Sequence, residues 1–168
     1  MLTIKQILVP TDFGEPADAA MTYGRELAGR FGARLHVLHV ADDIAITPFG
    51  SESYATAANL QQELEEVARV RLNELVIDND RSGPLSRAVV ITSSTPALAI
   101  VDYAKDNAID LIVMGTHGRG AIAHLLLGSV AERVCRLASC PVLTVRHPER
   151  EFVRHDTLVP VAREETPV

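Results

Sequence analysis

The stretch Asp110 to Ser129, DLIVMGTHGRGAIAHLLLGS, constrains this chain more than any other part of it. Leu111 to Met114 is an apolar, strand-like run. It feeds directly into a turn carrying Gly115, Gly118 and Gly120, and an apolar-periodic segment containing Gly128-Ser129 follows. Strand, glycine turn, helix start is the order in which α/β proteins present backbone N–H groups to an anion. The first expectation is an α/β domain with a site for a phosphate-bearing ligand, most simply a nucleotide.

The rest of the chain fits that architecture. Ile4 to Val9 reads as a buried strand ending at Pro10, and Thr11-Asp12-Phe13-Gly14 as a loop. Glu15 to Phe31 repeats apolar residues at helical spacing through Ala20, Tyr23, Leu27 and Phe31, with Pro16 in the first turn and Gly32 as a stop. Arg34 to Val40 is a second strand. Ala41 to Ala58, rich in small and polar residues and holding Pro48 and Gly50, is expected to be a loop. Leu60 to Ile77 is a long helix with Leu60, Leu64, Val67 and Leu75 on one stripe, and Asp78 to Pro84 a polar turn. Ala88 to Thr92 is the third strand. Thr95 caps a helix with Pro96 at its first position, running to about Asn107. Ile109 to Met114, Ile122 to Leu137 and Pro141 to Arg146 complete the series as strand, helix and strand. Five strands alternating with four helices predict one doubly wound domain, a parallel sheet with helices on both faces. Such sheets bind ligands at the carboxyl ends of the strands, where the winding reverses.

Composition narrows the partners. Sixteen Lys and Arg against twenty-two Asp and Glu leave −6 at pH 7, with no basic stripe for coating nucleic acid. One small anion needs only a local cluster of N–H groups, which net charge does not forbid. Cys135 and Cys140 are not a CxxC pair and read as reduced thiols. No apolar run reaches membrane-spanning length, and Met1 to Lys5 leads straight into a strand, so no membrane insertion and a cytoplasmic location are expected. His36 and His39 are spaced to point to opposite faces of one strand, against a shared metal site. Glu63, Glu65 and Glu66 read as a solvated helix face.

In the glycine segment, Gly115, Gly118 and Gly120 permit positive φ and close approach of backbone to a ligand. Arg119 adds a cation, and His117 either touches phosphate or faces solvent. Glycine costs about 1 kcal/mol inside a helix. Gly128-Ser129 therefore suggests that the fourth helix really begins there, with freed N–H groups and the Ser129 hydroxyl toward an anion. Ser129 as a simple cap is the alternative. No G-x-x-x-x-G-K-[ST] is present, which excludes an ordinary P-loop. Gly118-x-Gly120-x-x-Ala123 fits the short dinucleotide fingerprint, but no acidic residue follows at the spacing a ribose needs.

The pattern G-x2-G-x9-G-[ST], formed by Gly115, Gly118, Gly128 and Ser129, resembles the ATP-binding signature of the universal stress protein family. Ile7-Leu8-Val9-Pro10-Thr11-Asp12 near the start, LLLGSVAERV, and CPVLTVR extend the likeness over residues 1 to 147, leaving 148 to 168 as a C-terminal tail. The resemblance implies strand order 3-2-1-4-5 and a homodimer paired through Val142 to Val145. It implies that Pro10, Thr11 and Asp12 lie beside the nucleoside, with Asp12 accepting from the ribose. Val40 would line the adenine pocket, and Met114 and Gly115 would lie under the nucleoside. Gly118, Arg119, Gly128, Ser129 and Val130 would hold the phosphates.

The function expected is an ATP-binding stress-response regulator with little turnover, since phosphoryl transfer needs an oriented base and the sequence offers no credible one. Mg2+ would arrive with the nucleotide, held by its phosphates and Ser129. An adenylating or slowly hydrolysing enzyme, and a dimeric interaction module with an empty site, are the alternatives. An unidentified protein partner is compatible with all three.

Overall fold

The computed structural model describes residues 3–44, 51–77, 86–116 and 127–146. The order is β1 (Gln6–Pro10), α1 (Glu15–Phe31), β2 (Arg34–Ala41), α2 (Ser51–Ile77), β3 (Ser86–Thr92), α3 (Pro96–Asp106), β4 (Leu111–Gly115), α4 (Ser129–Leu137) and β5 (Val142–Val145). All pairings are parallel and the sheet order is β3-β2-β1-β4-β5, the expected doubly wound arrangement.

Strand alternation sorts the core into two layers. Ile7, Val9, Leu35, Val37 and Val113 pack toward α1 and α2, with Ala20, Met21, Ala28 and Leu72. Leu8, Leu38, Ile112 and Met114 pack toward α3 and α4, with Ile100, Tyr103, Ala131 and Val134. The Asp110 carboxylate accepts from the Lys5 and Gln6 amides at 2.7 and 2.9 Å, fixing the start of β1 beside β4.

α1 has the predicted limits. Pro16 sits in the first turn, and Gly32 ends the helix at φ 62° while its N–H returns to the Ala28 and Gly29 carbonyls. Phe31 is exposed, and the buried face is instead Ala17, Ala20, Met21, Gly24 and Ala28. Thr95 is the residue before α3, but its side chain makes no cap; its own N–H donates to Ser93 Oγ.

Three expectations need correction. The predicted loop over Ala41 to Ala58 is interrupted, because α2 starts at Ser51. The stripe of Leu60, Leu64 and Val67 does not enter the core: all three are exposed, while Ala68 and Leu72 are buried. Periodicity established a shared face, but the sheet takes the neighbouring one. Glu65 is more than a solvated acid, since it accepts from Thr92 Oγ1 at 2.6 Å and Gln61 Nε2 at 3.5 Å. Gln61 Oε1 in turn accepts from the Ile44 amide at 3.1 Å, tying α2 to the end of β2.

Candidate functional site

The winding reverses between β1 and β4, so the chain leaves these neighbouring strands toward opposite faces and opens a cleft at their carboxyl ends. A cavity of about 800 Å³ occupies it. This is within the range of small-molecule sites.

On one side stands the β1–α1 loop. The Thr11 amide donates to the Leu38 carbonyl at 2.8 Å, extending the β1–β2 pairing one step beyond the strand. Thr11 Oγ1 accepts from the Phe13 amide and Asp12 Oδ1 from the Gly14 amide, both at 3.0 Å. These two bonds hold Phe13 at φ 62°, an uncommon conformation for a bulky residue. Asp12 thus shapes this turn, and it also lines the cleft.

On the other side the Thr116 amide donates to the Val145 carbonyl at 2.9 Å, and the Gly128 amide to the Thr116 carbonyl at 2.7 Å. These bonds bring the start of α4 back to the end of β4. Gly128 is the N-cap, with φ −70° and ψ 158°, and no side chain caps the helix. Ser129 is therefore the first helical residue and not the cap. The helix begins here, as the cost of an internal glycine suggested, and not at Ile122. The first amide to find an intrahelical acceptor is that of Glu132, on the Gly128 carbonyl at 2.9 Å. The amides of Ser129, Val130 and Ala131 have no acceptor among the described residues, and all three residues line the cavity.

Pro10, Thr11, Asp12 and Val40 line this cavity, as do Met114, Gly115, Gly128, Ser129 and Val130. The topology thus brings together positions more than a hundred residues apart. His117, Gly118, Arg119 and Gly120 lie outside the described residues. Gly115 departs from the reason given for it. Its φ is not positive; a Cβ there would lie 2.7 Å from the Pro16 carbonyl oxygen, so it is required by the approach of α1.

The sequence reading missed Phe13, His39 and Arg71. The Arg71 guanidinium lies 4.3 Å from the centre of the Phe13 ring, and the Phe13 and His39 rings are 4.5 Å apart. His39 Nδ1 donates to the Thr11 carbonyl at 2.8 Å. Neighbouring Asp12 and Phe13 in sequence, and a place one turn beyond Val67 on the stripe, were the available signals. His36 faces the other way, as its spacing required. It is buried, with Nδ1 2.7 Å from Tyr103 Oη and Nε2 2.8 Å from Gln6 Oε1. Burial, then Arg87 and Arg34, pushes its pKa down, and burial pushes Tyr103 up. Nε2 donating to Gln6 and Nδ1 accepting from Tyr103 fits a neutral ring.

Among known proteins, residues 3–146 match the model of the universal stress protein family. Universal stress protein MJ0531 of Methanocaldococcus jannaschii is 32% identical over 148 residues, spanning 88% of this chain and 85% of that protein. The solved structure of MJ0577, from the same organism, superposes with a TM-score of 0.77 at 29% identity, covering 89% of this chain and all of that one. A universal stress protein solved in complex with cAMP shares the fold at 23% identity and a TM-score of 0.53, covering 86% of this chain and 98% of that one. With fold, strand order and sequence in agreement, the chain belongs to the universal stress protein family.

Proposed function

We propose that the cleft binds an adenine nucleotide, ATP in the first instance, with its phosphates at the start of α4 and its nucleoside between Pro10-Thr11-Asp12, Val40 and Met114. The observation that carries this reading is the set of Ser129, Val130 and Ala131 amides, which find no acceptor among the described residues and belong to residues lining the same cavity as Asp12. Helix amides without partners favour an anion, and a carboxylate nearby can accept from ribose hydroxyls. A protein of the same fold has been solved in complex with cAMP, itself an adenine nucleotide. Gly118 and Arg119 complete the phosphate site in this proposal, with His117 beside them, and Mg2+ enters with the nucleotide beside the Ser129 hydroxyl.

The protein acts as a regulator in the stress response, holding the nucleotide with little turnover, and works as a homodimer. Among the described residues β5 pairs on one side, with β4, and leaves Leu143 partly exposed. Its open edge is the surface we assign to the second protomer.

Calorimetric titration with ATP, ADP, AMP and NAD tests the ligand, and two substitutions test its position. Ser129→Ala removes only the hydroxyl. Ser129→Pro also removes the amide while suiting the first helical position, since Gly128 already has extended ψ. ATP affinity should fall modestly in the first variant and about tenfold or more in the second, as expected for a charge-assisted bond. AMP should respond far less. Equal effects on ATP and AMP, or none on either, would place the phosphates elsewhere. Absence of binding by all four nucleotides would remove the reading.

A further inference from the structure

The cleft extends beyond the proposed nucleotide position. Val40 and Met114 face the α3/α4 layer, and Ser129 and Val130 begin α4 on that side. The cavity continues on the α1/α2 side of the sheet edge, where its walls are Phe13, His39, Leu64, Val67 and Arg71. None of these belongs to the glycine signature or to the β1 motif assigned to the nucleoside.

Two features give this lobe a chemical character. Leu60, Leu64, Val67 and Arg71 follow one another at intervals of four, three and four, which places them on one face of α2. Leu60, Leu64 and Val67 are 48, 44 and 53% exposed. They form an apolar strip with a guanidinium at its end. That guanidinium is held by packing on Phe13 and forms no ion pair among the described residues. Arg30, Arg69 and Arg136, by contrast, pair with glutamates on their own helices. In a chain of net charge −6, an arginine resting on a ring at a cleft keeps its N–H donors for another acceptor. The Phe13 ring that supports it stands on a left-handed backbone at φ 62°, a strain that clusters at ligand sites.

We infer that the α1/α2 lobe binds a small apolar carboxylate, an acyl or aryl acid. Its chain lies along Leu64 and Val67, and its carboxylate meets Arg71, beside the nucleotide and separate from it. Charge complementarity at one end and exposed apolar surface along the rest select this class over a neutral or cationic amphiphile. The proposal depends on the nucleotide reading only for the identity of its neighbour.

Ligand-observed NMR with octanoate tests it on the full chain, with octylammonium as the control of opposite charge. Octanoate binding should saturate, with octylammonium giving none. Arg71→Gln should weaken octanoate about tenfold, Arg71→Lys should restore part of the loss, and Leu64→Asp should abolish binding. These side chains are exposed, and unchanged thermal midpoints would show that the variants fold. ATP should bind the Arg71→Gln variant with parental affinity, and saturating ATP should leave octanoate bound. Equal binding of octylammonium, indifference to Arg71→Gln, or competitive displacement by ATP would each overturn the proposal. If octanoate binds as described and no nucleotide does, the nucleotide reading fails and this one stands. Without octanoate binding, this one fails whatever ATP does.

Discussion

Replacing Gly115 by alanine tests how the end of β4 and the start of α1 define the cleft. The added Cβ would lie 2.7 Å from the Pro16 carbonyl oxygen, 2.8 Å from its carbonyl carbon and 3.0 Å from its Cβ. Comfortable separations are about 3.5 Å or more, so backbone must retreat by roughly 0.5–0.8 Å. No flexible side chain can absorb that. Pro16 lies in the first turn of α1, where the Ala17 and Asp18 amides both donate to the Gly14 carbonyl, at 2.9 and 3.0 Å. α1 packs through Ala20, Met21 and Ala28 into the layer of Ile7, Val9 and Val113, so the helix must move as a body. Overpacking of this kind costs about 1–3 kcal/mol, and each kcal/mol lowers the midpoint of a domain this size by about 2–4 °C. Differential scanning calorimetry should therefore show a drop of roughly 2–12 °C. Gly29→Ala is the control: a Cβ there meets nothing within 4 Å in the same helix, and relief from glycine should stabilise by about 0.5–1 kcal/mol. A Gly115→Ala protein melting within 1 °C of the parent would refute the argument that Pro16 backbone excludes a side chain at this position.

Two other predictions concern parts of the fold away from the cleft. His36 is held neutral between Tyr103 and Gln6, with its folded pKa below the ordinary value of about 6.5. Below that value the unfolded chain takes up a proton that the folded chain refuses, so this contribution is complete at neutral pH and lost as pH falls toward the folded pKa. An NMR titration should find the His36 ring neutral where an exposed histidine is already charged; titration at or above 6.5 would contradict this. At the open edge, the Ile112 amide donates to the Pro141 carbonyl, and the Thr116 amide to that of Val145. In a parallel ladder this turns the Leu143 backbone toward β4 and the Thr144 amide outward. Thr144→Pro should change the fold's stability by no more than about 1 kcal/mol, in line with the tolerance of edge strands for proline. It should convert the proposed dimer to monomer in sedimentation velocity, and an unaltered dimer would exclude the β5 edge as its interface.

The strands and α1 were legible because local chemistry marks both their ends: Pro10 closes β1, Pro16 opens α1, and Gly32 ends it with a left-handed turn. The first turns of α2 were not, since Ser51 to Ala58 combines small and polar residues without an apolar stripe to advertise a helix. The glycine and loop residues of the cleft could be paired from opposite ends of the sequence, because strand alternation fixes where a reversal can occur. Phe13, His39 and Arg71 had no such pattern. They meet only after α2 crosses the sheet and Phe13 adopts positive φ, which no spacing within the sequence records. The stripe on α2 shows the same limit from the other side, since a correct period leaves open whether its face meets core or cleft.

The positions around the cleft are set chiefly by backbone groups. The Thr11 amide is fixed to Leu38, that of Thr116 to Val145 and that of Gly128 to Thr116. The Phe13 and Gly14 amides are fixed by side chains within two residues of them. Each bond extends a strand or closes a short turn, so the sheet positions both walls before any ligand arrives. Order already present in the free protein is not an entropic cost of binding. On this basis, affinity in the proposed nucleotide site depends more on amides and on the exclusion of side-chain bulk than on any one functional group. That explains why loss of the Ser129 amide should matter more than loss of its hydroxyl. The α1/α2 lobe is built the opposite way, from the side chains of Leu64, Val67 and Arg71 on one helix. Substitutions there can change what that lobe accepts without disturbing the backbone frame next to it.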